Sequence, residues 1–198
     1  MNITRIFSED KEWFRLYLQQ VVAGRIPHEP PLDENIRTVI EALNDLPFLY
    51  TMGSCGGHVR TRESIIVDPR WMGREDLIFS GYAVYTGSWF TFTVDGLQQS
   101  ELFVLELEKL LRGRPHAYVK QMPQTGPFAY AVVLAYQEEG KESVTKEEAE
   151  QLTGQTSELV EKVTELAKVL RRFYGYQLSA GIVSSMRDTF SGILQYLE

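Results

Sequence analysis

The sequence predicts an α+β protein with a mostly antiparallel sheet, helices packed on one side, and helical segments at both ends. Three observations carry this. Strand-like runs neighbour one another in the middle of the chain, joined by glycine- and proline-containing turns. Amphipathic helical patterns group before and after them. Strands and helices do not alternate regularly, as they would in a doubly wound parallel sheet. The 198 residues, 43% of them hydrophobic, suit a single domain (1–198) with a real core.

Residues 8 to 23 read as the first helix. Ser8 is placed to cap it, Glu9 and Asp10 suit its first turn, and Phe14, Tyr17, Leu18 and Val21 share a face before Gly24. "GRIPHEPPL" (Gly24 to Leu32) is too rich in proline to continue that helix. A second helix is expected from about Asp33 to Leu46, with Ile36, Val39, Ile40 and Leu43 on one side.

The sheet region follows. "PFLYT" is expected to be a strand feeding a glycine loop, and "HVRTRESIIV" a strand leaving it. "LIFSGYAVYT" and "SWFTFTV" read as a hairpin turning at Gly87-Ser88. A helix is expected over Gln98 to Arg112, where Phe103, Leu107, Leu110 and Leu111 share a face and Gly113 supplies a stop. "HAYVKQM" and "FAYAVVLAYQ" are two further strands around the turn-prone "PQTGP".

In the last third the period becomes helical. Leu159, Val163, Leu166, Leu170 and Phe173 alternate at spacings of four and three, and Val160, Ala167 and Tyr174 widen the stripe. Ser157 is placed as the cap and Gly175 as the end. A stripe this wide suits a core face against a sheet better than a coiled-coil seam. A final helix is expected over Ile182 to Leu197.

One stretch does not read as scaffold: "TMGSCGGHV", Thr51 to Val59. It holds the only cysteine, Cys55, three residues before His58. Glycines let backbone approach a ligand, and successive N–H groups in a turn can cradle an anion. Ser54 adds a hydroxyl, and a thiolate at Cys55 would be a nucleophile that His58 could activate. Cys55 and His58 are therefore the candidate reactive pair, with Thr51, Ser54, Gly56 and Gly57 as ligand contacts. Sharp turning here also requires positive φ at Gly56 or Gly57. The plain alternative is a tight turn holding a buried structural thiol. In "DPRWMGRED", Trp71 and Arg70 could stack on and contact a planar ligand, or Trp71 could plug a loop.

Metal is not expected. Cys55 and His58 give two ligands, while His28 and His116 lack ligand spacing relative to them. Phosphate-loop, dinucleotide, zinc-protease and serine-hydrolase motifs are all missing. A single cysteine and an N-terminus without an apolar stretch favour a cytoplasmic location, and the longest apolar run, Phe128 to Tyr136, is too short for a membrane helix. The formal net charge of −7 disfavours RNA unless Arg60, Arg62, Arg70 and Arg74 form a local basic patch.

The Cys55 segment resembles the wybutosine-synthesis methyltransferase family, the third enzyme of that tRNA pathway and its archaeal relatives. The family's loop reads threonine-serine-serine-cysteine-serine-glycine-arginine. Thr51, Ser54, Cys55 and Gly57 match it, Gly53 and Gly56 replace serines, and His58 stands in place of the arginine. Trp71, "WFTFTV", Phe103 to Leu111 and "HAYVKQM" extend the likeness over residues 45 to 122. The resemblance implies a small anionic or nucleoside-type ligand and an S-adenosylmethionine-dependent step on tRNA. The alternative is a non-enzymatic binding module, self-associating through its C-terminal helices into a homo-oligomer.

Overall fold

The computed structural model describes residues 3–25, 32–60, 84–136 and 144–180. In these residues the order is α1 (Ile3–Val22), α2 (Glu34–Asn44), β1 (Leu49–Arg60), β2 (Val84–Val94), α3 (Gln98–Leu111), β3 (Tyr118–Gln121), β4 (Ala129–Ala135) and α4 (Lys146–Ala180). The strands form one four-stranded sheet in the order β1-β2-β4-β3, with every neighbouring pair antiparallel. The fold is α+β, as the grouping of strands and helices implies.

One face of the sheet carries the core. Leu49, Phe90, Phe92, Val94 and Val132 pack there against Ile36, Val39 and Leu43 of α2, Phe103 and Leu107 of α3, and Leu159, Val163, Leu166 and Leu170 of α4. The α4 stripe is thus a core face, buried within the chain. Helix α1 makes a different contact. Phe7 and Phe14 pack on Tyr50, their ring centroids 5.4 and 4.9 Å away, and Tyr50 alternates with the core-facing Leu49. Lys11 of α1 donates to the carbonyls of Asn44 (3.0 Å) and Leu49 (2.5 Å). Burial pulls the Lys11 ammonium down to about 8.

Four boundaries differ from the sequence expectations. Helix α1 begins at Ile3, so Ser8 lies inside it. Helix α4 begins at Lys146 and runs past Gly175 to Ala180. Its true cap is a reciprocal pair: Thr145 N donates to Glu148 Oε2 (2.7 Å) and Glu148 N to Thr145 Oγ1 (3.1 Å). Ser157 instead turns its hydroxyl onto the Thr153 carbonyl one turn back (3.1 Å), the habit of a serine inside a helix.

The other two corrections concern the sheet. Gly87 and Ser88 do not turn; β2 runs through them, paired to β1 along its length and, from Ser88 to Thr93, to β4 on its other side. The glycine segment is not a loop either. β1 is continuous from Leu49 to Arg60, with a bulge between Thr51 and Gly53. The expected helix at Ile182 to Leu197 and the residues from Thr61 to Ala83 lie outside the described residues.

Candidate functional site

Among the described residues β1 is an edge strand, so no described strand pairs the backbone groups on its outer side. Helix α2 and its N-cap residue supply partners at Thr51 and Gly56. It runs antiparallel alongside β1 and is bonded to it at both ends. At its C-terminal end, Asn44 donates to Thr51 Oγ1 (2.6 Å) and to the Ile40 carbonyl (2.8 Å), while its carboxamide oxygen accepts from Thr51 N (3.2 Å). At its N-terminal end, Gly56 N donates to Asp33 Oδ2 (2.6 Å) and Asn35 Nδ2 donates to the Gly56 carbonyl (2.7 Å). Asp33 and Asn35 therefore bracket Gly56 as a neighbouring strand would.

This close approach explains Gly56. A side chain there would overlap the Asn35 carboxamide and begin 2.9 Å from the Cβ of Asp33. Gly57 answers a backbone requirement, with φ of +75°, a conformation L side chains rarely adopt. The expected positive φ is present at Gly57, inside a strand and not in a loop.

Asp33 occupies the N-cap position of α2, yet its carboxylate makes no capping bond to its own helix. Oδ2 is taken by Gly56 N, and Oδ1 lies 3.1 Å from His58 Nε2. A side chain that ordinarily satisfies helix N–H groups is diverted to β1. The thiol of Cys55 completes the group: single ligand atoms of Asp33, Cys55 and His58 all lie within 4.8 Å of one another, and all three residues are half-buried. Cys55 is a free thiol, neither sealed in the core nor fully exposed.

An aromatic platform adjoins this cluster. Trp89 is the antiparallel register partner of Cys55, so the two share a face of the sheet. Its ring lies beside Gly53, where a side chain would begin 3.6 Å from Cζ3, and Trp89 remains 37% exposed.

The structure thus gathers Cys55 and His58 from the sequence-derived set, with Gly56 and Gly57 shaping the backbone between them. Ser54 is half-buried on the face of its register partner Phe90. Thr51 is buried and tied to Asn44 at the other end of α2, away from the cluster. Trp71 and Arg70 lie outside the described residues, as do Arg62, Arg74 and the side chain of Arg60. Asp33, Asn35 and Trp89 were not identified from sequence as site residues. Asp33 read as a helix start, and Trp89 as a residue of the strand "SWFTFTV". Only the pairing of α2 and β2 with β1 brings them in.

No protein family matches the chain, and no curated protein matches it in sequence. Among solved structures, the PH1069 protein from Pyrococcus horikoshii is similar at 15% identity and a TM-score of 0.45, over 89% of this chain and 98% of that one. A second structure of PH1069, from Pyrococcus horikoshii OT3, gives the same identity and TM-score over 87% and 95%. Among the described residues, no helix is long and apolar enough to cross a membrane.

Proposed function

We propose that the protein binds a small nucleoside-type ligand on the middle of β1, with Cys55 and His58 as the reactive groups beside it. The observation that carries this is the placement of Cys55. It shares a sheet face with its register partner Trp89, which is 37% exposed, and its sulfur lies within 4.8 Å of Asp33 and His58 ligand atoms. A planar ring stacked on Trp89 would bring its polar substituents toward a carboxylate, an imidazole and a thiol.

The site is poorly suited to an anion. The Asp33 carboxylate stands 3.1 Å from His58 Nε2, so a positive charge on His58 is already answered. Gly56 N, the donor an anion would need, is bonded to the same carboxylate. The site favours a neutral or cationic ligand. S-adenosylmethionine fits in part, since its adenine suits Trp89 and its sulfonium suits Asp33; the bound group would supply a transferable methyl. An RNA substrate would need the arginines at 60, 62, 70 and 74 to offset the net charge of −7.

Thermal unfolding with adenosine, guanosine and S-adenosylmethionine tests the ligand. A saturating ligand should raise Tm by a few degrees, on the order expected from mass action. Trp89→Ala should abolish the rise. No rise with any of the three, or an equal rise in Trp89→Ala, rejects the site. Labelling the folded protein with a thiol reagent separates the alternatives: a non-enzymatic module with a structural Cys55 labels only after denaturation.

A further inference from the structure

The geometry points to Asp33, Cys55 and His58 as a three-ligand site for a divalent transition-metal ion of the zinc class, with a coordination position left open to solvent. This uses the same side chains as the nucleoside proposal but does not depend on it.

The donor set comes first. A thiolate, an imidazole and a carboxylate are the three side-chain ligands of zinc sites, and a mixed S, N, O set also suits cobalt, nickel and copper. Calcium and magnesium want oxygen donors throughout, which this cluster does not offer. Sequence spacing missed the third ligand because Asp33 lies 22 residues before Cys55 and on a different element.

Distances come second. Ligands at about 2.0–2.3 Å from a tetrahedral ion stand roughly 3.3–3.8 Å from one another. Asp33 Oδ1 and His58 Nε2 are already 3.1 Å apart, and the Cys55 sulfur is within 4.8 Å of the chosen ligand atoms of both. Binding would draw the three ligand atoms together by about 1 Å or less.

Orientation comes third. A ligating carboxylate is normally held by an outer hydrogen bond, and here Gly56 N holds Asp33 through Oδ2 while Oδ1 faces His58. This bond requires α2 to approach β1 at a residue without a side chain. Half-burial of all three ligands leaves an entry path and room for water as a further ligand, the arrangement of catalytic rather than structural zinc.

Cobalt(II) tests this by its colour. Chelator-treated full-length protein titrated with cobalt should develop a near-ultraviolet thiolate-to-cobalt band and visible bands of tetrahedral intensity. Cys55→Ser should lose the near-ultraviolet band. His58→Ala and Asp33→Ala should weaken binding by at least about tenfold, since even outer-shell partners of metal ligands contribute about 10- to 100-fold. His116→Ala, well folded by circular dichroism, should bind as the wild type does. As an independent readout, zinc should protect Cys55 from thiol labelling in the wild type but not in His58→Ala. No thiolate band at millimolar cobalt, or a band unchanged in Cys55→Ser, overturns the proposal. Nucleoside-induced stabilisation measured in the chelator-treated protein is a separate result, so either proposal can fail alone.

Discussion

Helix α2 is fastened to the edge of β1 twice, and the two fastenings are chemically alike but placed differently. Both use a short polar side chain of α2 or of its N-cap residue to pair a backbone group of β1. The Asn44–Thr51 contact is buried, at 6% and 9% exposure, and all its bonds stay within the scaffold. The Asp33–Gly56 contact is half-open, and its carboxylate has an oxygen facing His58. An edge strand needs covering along its whole length. Where the cover is buried it stabilises the fold, and where it is open the same chemistry leaves a charged group available for a ligand.

The largest effect is expected at the buried end. Asn44→Ala leaves the Thr51 N–H buried without an acceptor and removes the two hydrogen bonds that the Asn44 carboxamide donates. Urea unfolding should show a loss of about 3 kcal/mol, the sum of a desolvated donor and lost hydrogen bonds. A loss below about 1 kcal/mol would mean that the buried contact does not anchor α2.

Gly56→Ala comes next. The added methyl overlaps Asn35 and presses on Asp33, so α2 must withdraw from β1. We expect a loss of about 2 kcal/mol, typical of overpacking. Faster labelling of Cys55 should accompany it, because the shielding carboxylate moves. A stability loss with unchanged labelling would show that the two ends of α2 move independently.

Asp33→Ala should cost less, about 1 kcal/mol, since a part-buried hydrogen bond to Gly56 N and the half-open contact with His58 are lost but no cap on α2 is removed. Binding at the cluster should fall by far more than stability does. Asn44→Ala should show the reverse order, and measuring both variants by denaturation and by ligand titration checks the contrast directly.

The smallest effect is expected in the pH dependence of the buried end. Lys11 donates to the Asn44 and Leu49 carbonyls, and burial lowers it from 10.5 to about 8. The folded chain then sheds this proton before the unfolded chain does. Between about pH 8 and 10.5 the unfolded state binds more protons, so this group makes stability rise with pH across that window. The remaining water contact of Lys11 keeps the rise modest. Unfolding midpoints at pH 8 and 9.5, compared between wild type and Lys11→Met, isolate it. A wild-type slope no steeper than that of Lys11→Met would contradict the depressed value.

The amino-acid sequence by itself determined the α+β class, the positions of α2, α3, β3 and β4, and the inward face of α4. These follow from local periodicity: Leu159, Val163, Leu166 and Leu170 must lie on one side of any helix that contains them. It also singled out Cys55 and His58, since a lone thiol near an imidazole among glycines is legible at short range. The T-x-x-E cap at Thr145 and Glu148 was equally local, and was hidden only by the stronger apolar pattern that begins at Leu159. Tertiary structure alone decided that the glycine segment is a strand. Glycines disfavour strands in isolation, but pairing with β2 on one side and bracketing by Asp33 and Asn35 on the other satisfy the backbone there. It likewise decided that Asp33 leaves its own helix uncapped to meet His58, and that Trp89 shares a sheet face with Cys55. Residues 22 and 34 positions from Cys55 carry no local signal of their meeting, because their proximity arises from the register of β2 and the packing of α2 and not from the spacing of residues along the chain.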